Sequence, residues 1–115
     1  MTPDAIDLMV FRHLQATAGR DAVVELAEGF LDETPRLLAE LRGTRQRADG
    51  TRFRLAAQSI KVASQEFGAT TLARLAGTLE AEGPGADDDA DAAAIAAVDV
   101  AFRDAAQMLA ELIRD

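Results

Sequence analysis

Apolar residues recur at intervals of three and four along almost the whole chain, and nowhere do they alternate with polar ones over the length of a strand. A chain written at that period buries its apolar side chains on one stripe of each helix, and the stripes must then face one another. Thr2-Pro3 reads as a helix opening, with Thr as cap and Pro where a missing N–H loses nothing. Ile6, Met9, Val10, His13 and Leu14 follow at helical spacing up to Gly19. A second helix opens near Asp21, with Val23, Ala27, Phe30, Leu31, Thr34, Leu37, Leu38 and Leu41 on one side. Pro35 interrupts it without shifting the phase, which predicts one long helix kinked there.

Asp49-Gly50 reads as a turn and Thr51 as the cap of a third helix, apolar at Phe53, Ala56, Ala57, Ile60, Ala63, Ser64 and Phe67 and stopped by Gly68. Thr70 reads as the cap of a fourth, with Leu72, Leu75, Ala76 and Leu79, ending at Gly83-Pro84-Gly85. A last helix carries Ile95, Val98, Phe102, Ala105, Ala106, Leu109, Leu112 and Ile113. The connections are short, so consecutive helices run antiparallel. The expected fold is all-α, an antiparallel up-down four-helix bundle with a short additional N-terminal helix, residues 1–115 forming one domain. A composition of 25 alanines against five aromatics, all Phe, favours the same class.

Several chemistries drop out at this level. With no cysteine there is no disulfide, thiolate nucleophile or cysteine metal site. His13 is the one histidine and reads as a packing or surface residue of the first helix; alone it makes no zinc site. Asp87, Asp88, Asp89 and Asp91 suggest calcium, but a twelve-residue calcium loop counted from Asp87 has Ala92 where it needs Gly and Val98 where it needs Glu. That run reads as a solvated linker whose carboxylates favour the start of the last helix. No Ser/His/Asp set or phosphate loop is present, so neither an enzyme, a cofactor nor a metal is expected. No leader or membrane-spanning stretch opens the chain, which predicts a cytoplasmic monomer without membrane contact. The net charge of −8 lies wholly in residues 76–115, while eight bases face three acids between Arg36 and Arg74. That overall sign and the scarcity of aromatics argue against nucleic acid.

The polar face of the third helix is the informative part. Gln58 lies about 160° from Ile60 and shares a stripe with Thr51, Arg54, Lys61, Val62 and Gln65. The region reads Ala57-Gln58-Ser59-Ile60-Lys61-Val62-Ala63-Ser64-Gln65-Glu66-Phe67-Gly68-Ala69, followed by Leu72, Leu75 and Leu79-Glu80. It resembles the histidine-containing phosphotransfer (HPt) domains of bacterial phosphorelays, whose motif runs Ala-His-x-Leu/Ile-Lys-Gly-Ser/Ala-Ser/Ala-x-x-Leu/Phe-Gly-Ala, with a Leu-rich helix and Leu-Glu after it. Upstream, Phe30-Leu31 and Pro35-x-Leu37-Leu38 are similar to the family's Phe-Leu-x-x-x-Pro-x-Leu-Leu segment. Eleven of the twelve bases are Arg, and the single Lys stands at the motif's Lys position.

Two positions depart from the motif. Gln58 stands where the family has its phosphoacceptor His, and Val62 where it has Gly. An imidazole nitrogen offers an in-plane lone pair to phosphorus, whereas the amide nitrogen of Gln58 has its lone pair delocalised into the carbonyl. Gln58 therefore carries no phosphoryl group, and Val62 puts a branched apolar side chain beside it that either obstructs a partner's loop or adds a contact to it. The resemblance implies a docking surface centred on Arg54, Gln58, Lys61, Val62 and Gln65, flanked by Arg42, Arg45, Arg47 and Arg52, for the acidic pocket of a response-regulator receiver domain or for a sensor histidine kinase. Three readings stand side by side: a docking module that carries no phosphate, a genuine relay carrier whose His has been exchanged for Gln58, and a scaffolding bundle that uses its acidic end.

Overall fold

The structure, a computed structural model, describes residues 5–114. It contains five helices, α1 (Leu8–Ala18), α2 (Arg20–Gln46), α3 (Gly50–Phe67), α4 (Thr70–Glu82) and α5 (Asp88–Leu112), and no strand among the described residues. At 1.5 Å per residue the 27 residues of α2 span about 40 Å, which sets the 44 Å long dimension of the molecule. Among the described residues no helix is long and apolar enough to cross a membrane.

The opening expected at Thr2-Pro3 lies outside the described residues. α1 begins later, where the Asp7 carboxylate accepts the Met9 N–H at 2.9 Å. Ile6 is buried, but it precedes the helix, so its spacing to Met9, Val10 and His13 marks no common face. Met9, Val10 and His13 are exposed, and the residue that α1 buries is Phe11, with Leu14 and Gln15 half-buried beside it. Gly19, in the left-handed region at φ 88°, joins α1 to α2 in a single residue.

α2 continues unbroken through Pro35, as the unshifted phase predicts, and buries Val23, Ala27, Phe30, Thr34, Leu38, Leu41 and also Thr44. Thr44 is tolerated because its hydroxyl donates to the Glu40 carbonyl at 2.7 Å. In the turn that follows, Ala48 sits at φ 56°, a conformation suited to glycine. Ala48→Gly is expected to raise the unfolding free energy by roughly 1 kcal/mol and Tm by about 4 °C in a thermal melt.

Two expected caps shift by a residue or two. Asp49, not Thr51, caps α3, its carboxylate accepting the Arg52 N–H at 3.1 Å; a charged acceptor suits the positive end of a helix better than a hydroxyl. Ala69, not Thr70, occupies the N-cap of α4 without a side-chain bond, because that position is wholly enclosed. The run from Asp87 to Asp91 does cap and favour the last helix, Asp87 accepting the Asp89 and Ala90 N–H groups, but it is not a linker before it, since α5 already begins at Asp88.

Gly68 closes α3 at φ 79°, and its carbonyl accepts the Asp7 N–H at 2.7 Å. A Cβ there would stand 2.8 Å from both the Asp7 carbonyl oxygen and Val10 Cβ. Gly68→Ala is expected to lose about 1–2 kcal/mol through its left-handed backbone and about 1–3 more through the contact, read as a lower urea midpoint.

α2 packs against α3 and α5, α4 packs against α3 and α5, and α1 rests on α2 and α3. α2 and α5 run antiparallel, since Arg20 at the start of α2 donates to the Ile113 carbonyl at 2.8 Å while Arg45 near its end pairs with Asp88 and Asp91. Arg42 bonds Asp99 on the same seam at 3.2 Å. The basic middle and the acidic end of the chain thus face each other. The hydrogen bonds that the Arg45 guanidinium donates, to Asp88 first and to Asp91 second, hold its pKa above the ordinary arginine value. With the folded value raised above the unfolded one, the share of stability that Arg45 carries through these bonds is, with both carboxylates ionised, lost only as pH rises through the arginine range. The core is completed by Phe30, whose ring lies 5.2 Å from that of Phe67 on α3 and 5.6 Å from that of Phe102 on α5.

Candidate functional site

The motif region divides cleanly between core and solvent. Ala57, Ile60, Ser64, Phe67 and Ala69 are all at most 1% exposed, and the Ser64 hydroxyl donates to the Ile60 carbonyl at 2.6 Å. Thr51, Arg54, Gln58, Val62 and Gln65 are exposed on the opposite face, and Lys61 is half-buried at its edge. The sequence-predicted stripe is therefore brought together on one face of α3, with Gln58 near the middle of the helix. Among the described residues no hydrogen bond reaches the Gln58 amide, and Val62, 57% exposed, stands one turn further on. The face offers one free amide donor and acceptor beside a branched apolar group.

The two bases of the stripe have partners on α4. Lys61 lays its aliphatic stem over Gly77, where an added Cβ would come within 3.3 Å of Lys61 Cδ, and its ammonium reaches Glu80 Oε1 at 2.5 Å. Glycine inside a helix costs about 1 kcal/mol against alanine, and here it makes room for that stem. Arg54 donates to the Ala81 carbonyl at 3.1 Å and to those of Glu80 and Glu82 at 3.4 Å. Those carbonyls form the negative end of α4, so Arg54 closes a neighbouring helix with donors and charge that its own backbone lacks. Gly83 permits the approach, since a Cβ there would fall 2.6 Å from Arg54 Nη2. Arg54→Ala is expected to lower stability by about 1 kcal/mol and to speed amide hydrogen exchange in the last turn of α4.

Three of the four flanking arginines are engaged as well, Arg42 with Asp99, Arg45 with Asp88 and Asp91, and Arg52 with Asp49 at 3.8 Å, while Arg47 has no ion-pair partner among the described residues. The electropositive surface expected from counting bases is thus largely matched by carboxylates of the same chain. Gly77, Gly83 and the role of Glu80 are absent from the reading of the stripe, although Lys61 and Glu80 both stand in the motif. His13 is exposed on α1 and belongs to no cluster, and no group of three or more His, Asp or Glu among the described residues is placed to hold a metal ion.

What the arrangement can do chemically is bind. A solvent-facing amide, a valine and a second glutamine on a rigid helix supply hydrogen bonds and apolar contact without a nucleophile. No protein-family model, curated protein or solved structure matches this chain, so its own residues carry the functional reading.

Proposed function

We propose that this chain is a docking module of the HPt type that binds a receiver domain or a sensor histidine kinase without carrying phosphate. In this reading α2 to α5 are the four antiparallel helices of the bundle and α1 is the short additional one. The packing order supports it: α2 on α3, α3 on α4, α4 on α5 and α5 back on α2.

The observation that carries the reading is the way the motif sorts. Each of its apolar positions from Ala57 to Ala69 lies in the core or half in it, while Gln58, Val62 and Gln65 stand in solvent. Lys61 and the Glu80 of the following helix pair across Gly77. A bundle kept only for its stability has no need of an exposed, unpartnered amide midway along a helix whose buried side follows the motif. The nucleophile is missing, so the surface acts by occupancy: it competes with phosphate-carrying proteins for the same partner. The acidic end is engaged in capping α5 and in pairing with Arg45, which leaves little of it for a scaffolding role.

The test is direct binding of the purified chain to the receiver domains and kinase transmitter domains of its own host. Complexes of micromolar affinity are expected, weakened about tenfold by Val62→Asp, which removes apolar contact at the centre of the face. A complete absence of binding across that set would falsify the reading.

A further inference from the structure

Beside the Gln58 face, α2 and α3 leave an apolar groove open. Its deeper part, about 290 Å³, has Leu26, Phe30, Leu37 and Ala63 along its floor. A shallower part of about 260 Å³ continues past Leu37 and Ser59 to Leu55 and Ala56. Leu26 and Leu55, at 41% and 55% exposure, are among the few large apolar side chains left in solvent. From Leu26 to Glu40 the groove follows about 20 Å of α2, roughly four helical turns.

Its rim is acidic. Glu25, Glu33 and Glu66 line the deeper part and Glu40 the shallower. Among the described residues none of these four carboxylates has an ion-pair partner. The one base on the rim, Arg52, is turned toward Asp49. An apolar floor of helical length between uncompensated carboxylates is complementary to one kind of object.

We infer that this groove receives an amphipathic helix of a partner protein, with its apolar stripe on Leu26, Leu37 and Leu55 and with Lys or Arg along its flanks facing Glu25, Glu33, Glu40 and Glu66. The mode is helix-in-groove recognition: apolar anchors spaced by three and four give affinity, and opposite charges set orientation and speed encounter. A second copy of this chain is a poor occupant, because its net charge of −8 repels the rim. The inference needs neither the phosphotransfer resemblance nor the Gln58 face, and it concerns a partner of opposite character to the acidic pocket considered above.

The probe is a fluorescently labelled peptide of about 14 residues, with Leu at helical spacing and Lys and Arg on the flanks, set beside a scrambled peptide of the same composition without an apolar face. Anisotropy titration of the full chain is expected to give micromolar affinity for the first, weaker at high salt, and at least roughly tenfold weaker binding of the second. Glu33→Lys with Glu66→Lys, and separately Leu26→Gln, are each expected to weaken binding about tenfold. Asp21→Lys with Glu111→Lys, away from the groove, should leave it unchanged. All these positions are exposed, and circular dichroism verifies that each variant is folded. Equal binding of the scrambled peptide, an equal loss in the distant pair, or no binding at about 200 µM overturns the inference.

Discussion

Phe30→Ala lowers the unfolding free energy by about 3–5 kcal/mol, a large share of what a domain of this size possesses. Phe30 is 5% exposed, and its ring is the one that touches those of both Phe67 and Phe102. Truncation removes two aromatic contacts at once and leaves a void where α2, α3 and α5 meet. With five Phe and no Trp or Tyr in the chain, no neighbouring ring is large enough to move in. A urea titration followed by circular dichroism, the appropriate probe for a chain without Trp, should show the midpoint falling steeply. Phe30→Leu, which keeps most of the volume, should recover more than half of the loss. A fall of under about 1 kcal/mol for the alanine variant would mean that the junction collapses around the void and that the three-ring contact is not the centre of the core.

The second large effect is one of function. Gln58→His with Val62→Gly is expected to give α3 an imidazole that takes up a single acid-labile, alkali-stable phosphoryl group, from phosphoramidate or from a phosphorylated receiver domain, at a position where the Gln58 amide takes up none. The imidazole nitrogen forms an N–P bond as the donor's P–N or P–O bond breaks; phosphoramidate releases ammonia into solvent, whereas the leaving carboxylate stays on the receiver domain. Position 58 is exposed, and the Lys61 ammonium lies on the same stripe. Val62→Gly clears the flank through which a donor's active-site loop would come, at less than about 1 kcal/mol of helix stability. Gln58→His alone should react more slowly with a receiver than the double variant, yet equally fast with phosphoramidate, since only the larger donor meets Val62. Loss of that distinction would remove the steric role assigned to Val62. Failure of the double variant with both donors would show that the scaffold no longer supports transfer.

Much of this was readable along the chain. The burial of Phe53, Ala57, Ile60, Ser64 and Phe67 follows from spacing alone, because an amphipathic helix with only one apolar stripe has only one way to turn inward. The exposure of Gln58, Val62 and Gln65 is the same statement for the opposite face. Periodicity failed at α1, where Ile6 belongs to the lead-in and Phe11 to the core; a helix start displaced by a few residues changes which positions share a face. It also misplaced two caps, since at Ala69 burial outweighs the preference for a hydroxyl.

Charge was the least legible property. Counting bases between Arg36 and Arg74 suggested an electropositive docking surface, and the acidic run from Asp87 to Asp91 read as a solvated linker. A count cannot say which opposite charges will lie within 4 Å of each other. The antiparallel course of α2 and α5 sets Arg42 and Arg45 against Asp99, Asp91 and Asp88, and that of α3 and α4 sets Lys61 against Glu80 and Arg54 against the open carbonyls of a helix end. Four of the carboxylates left without such partners, Glu25, Glu33, Glu40 and Glu66, line the groove between α2 and α3. Helix positions and the face of α3 are encoded locally, in residues three and four apart, and so belong to the amino-acid order. Which charges cancel, which remain and where an apolar groove stays open depend on pairs some 19 to 57 residues apart, and only the packing of the helices brings those together.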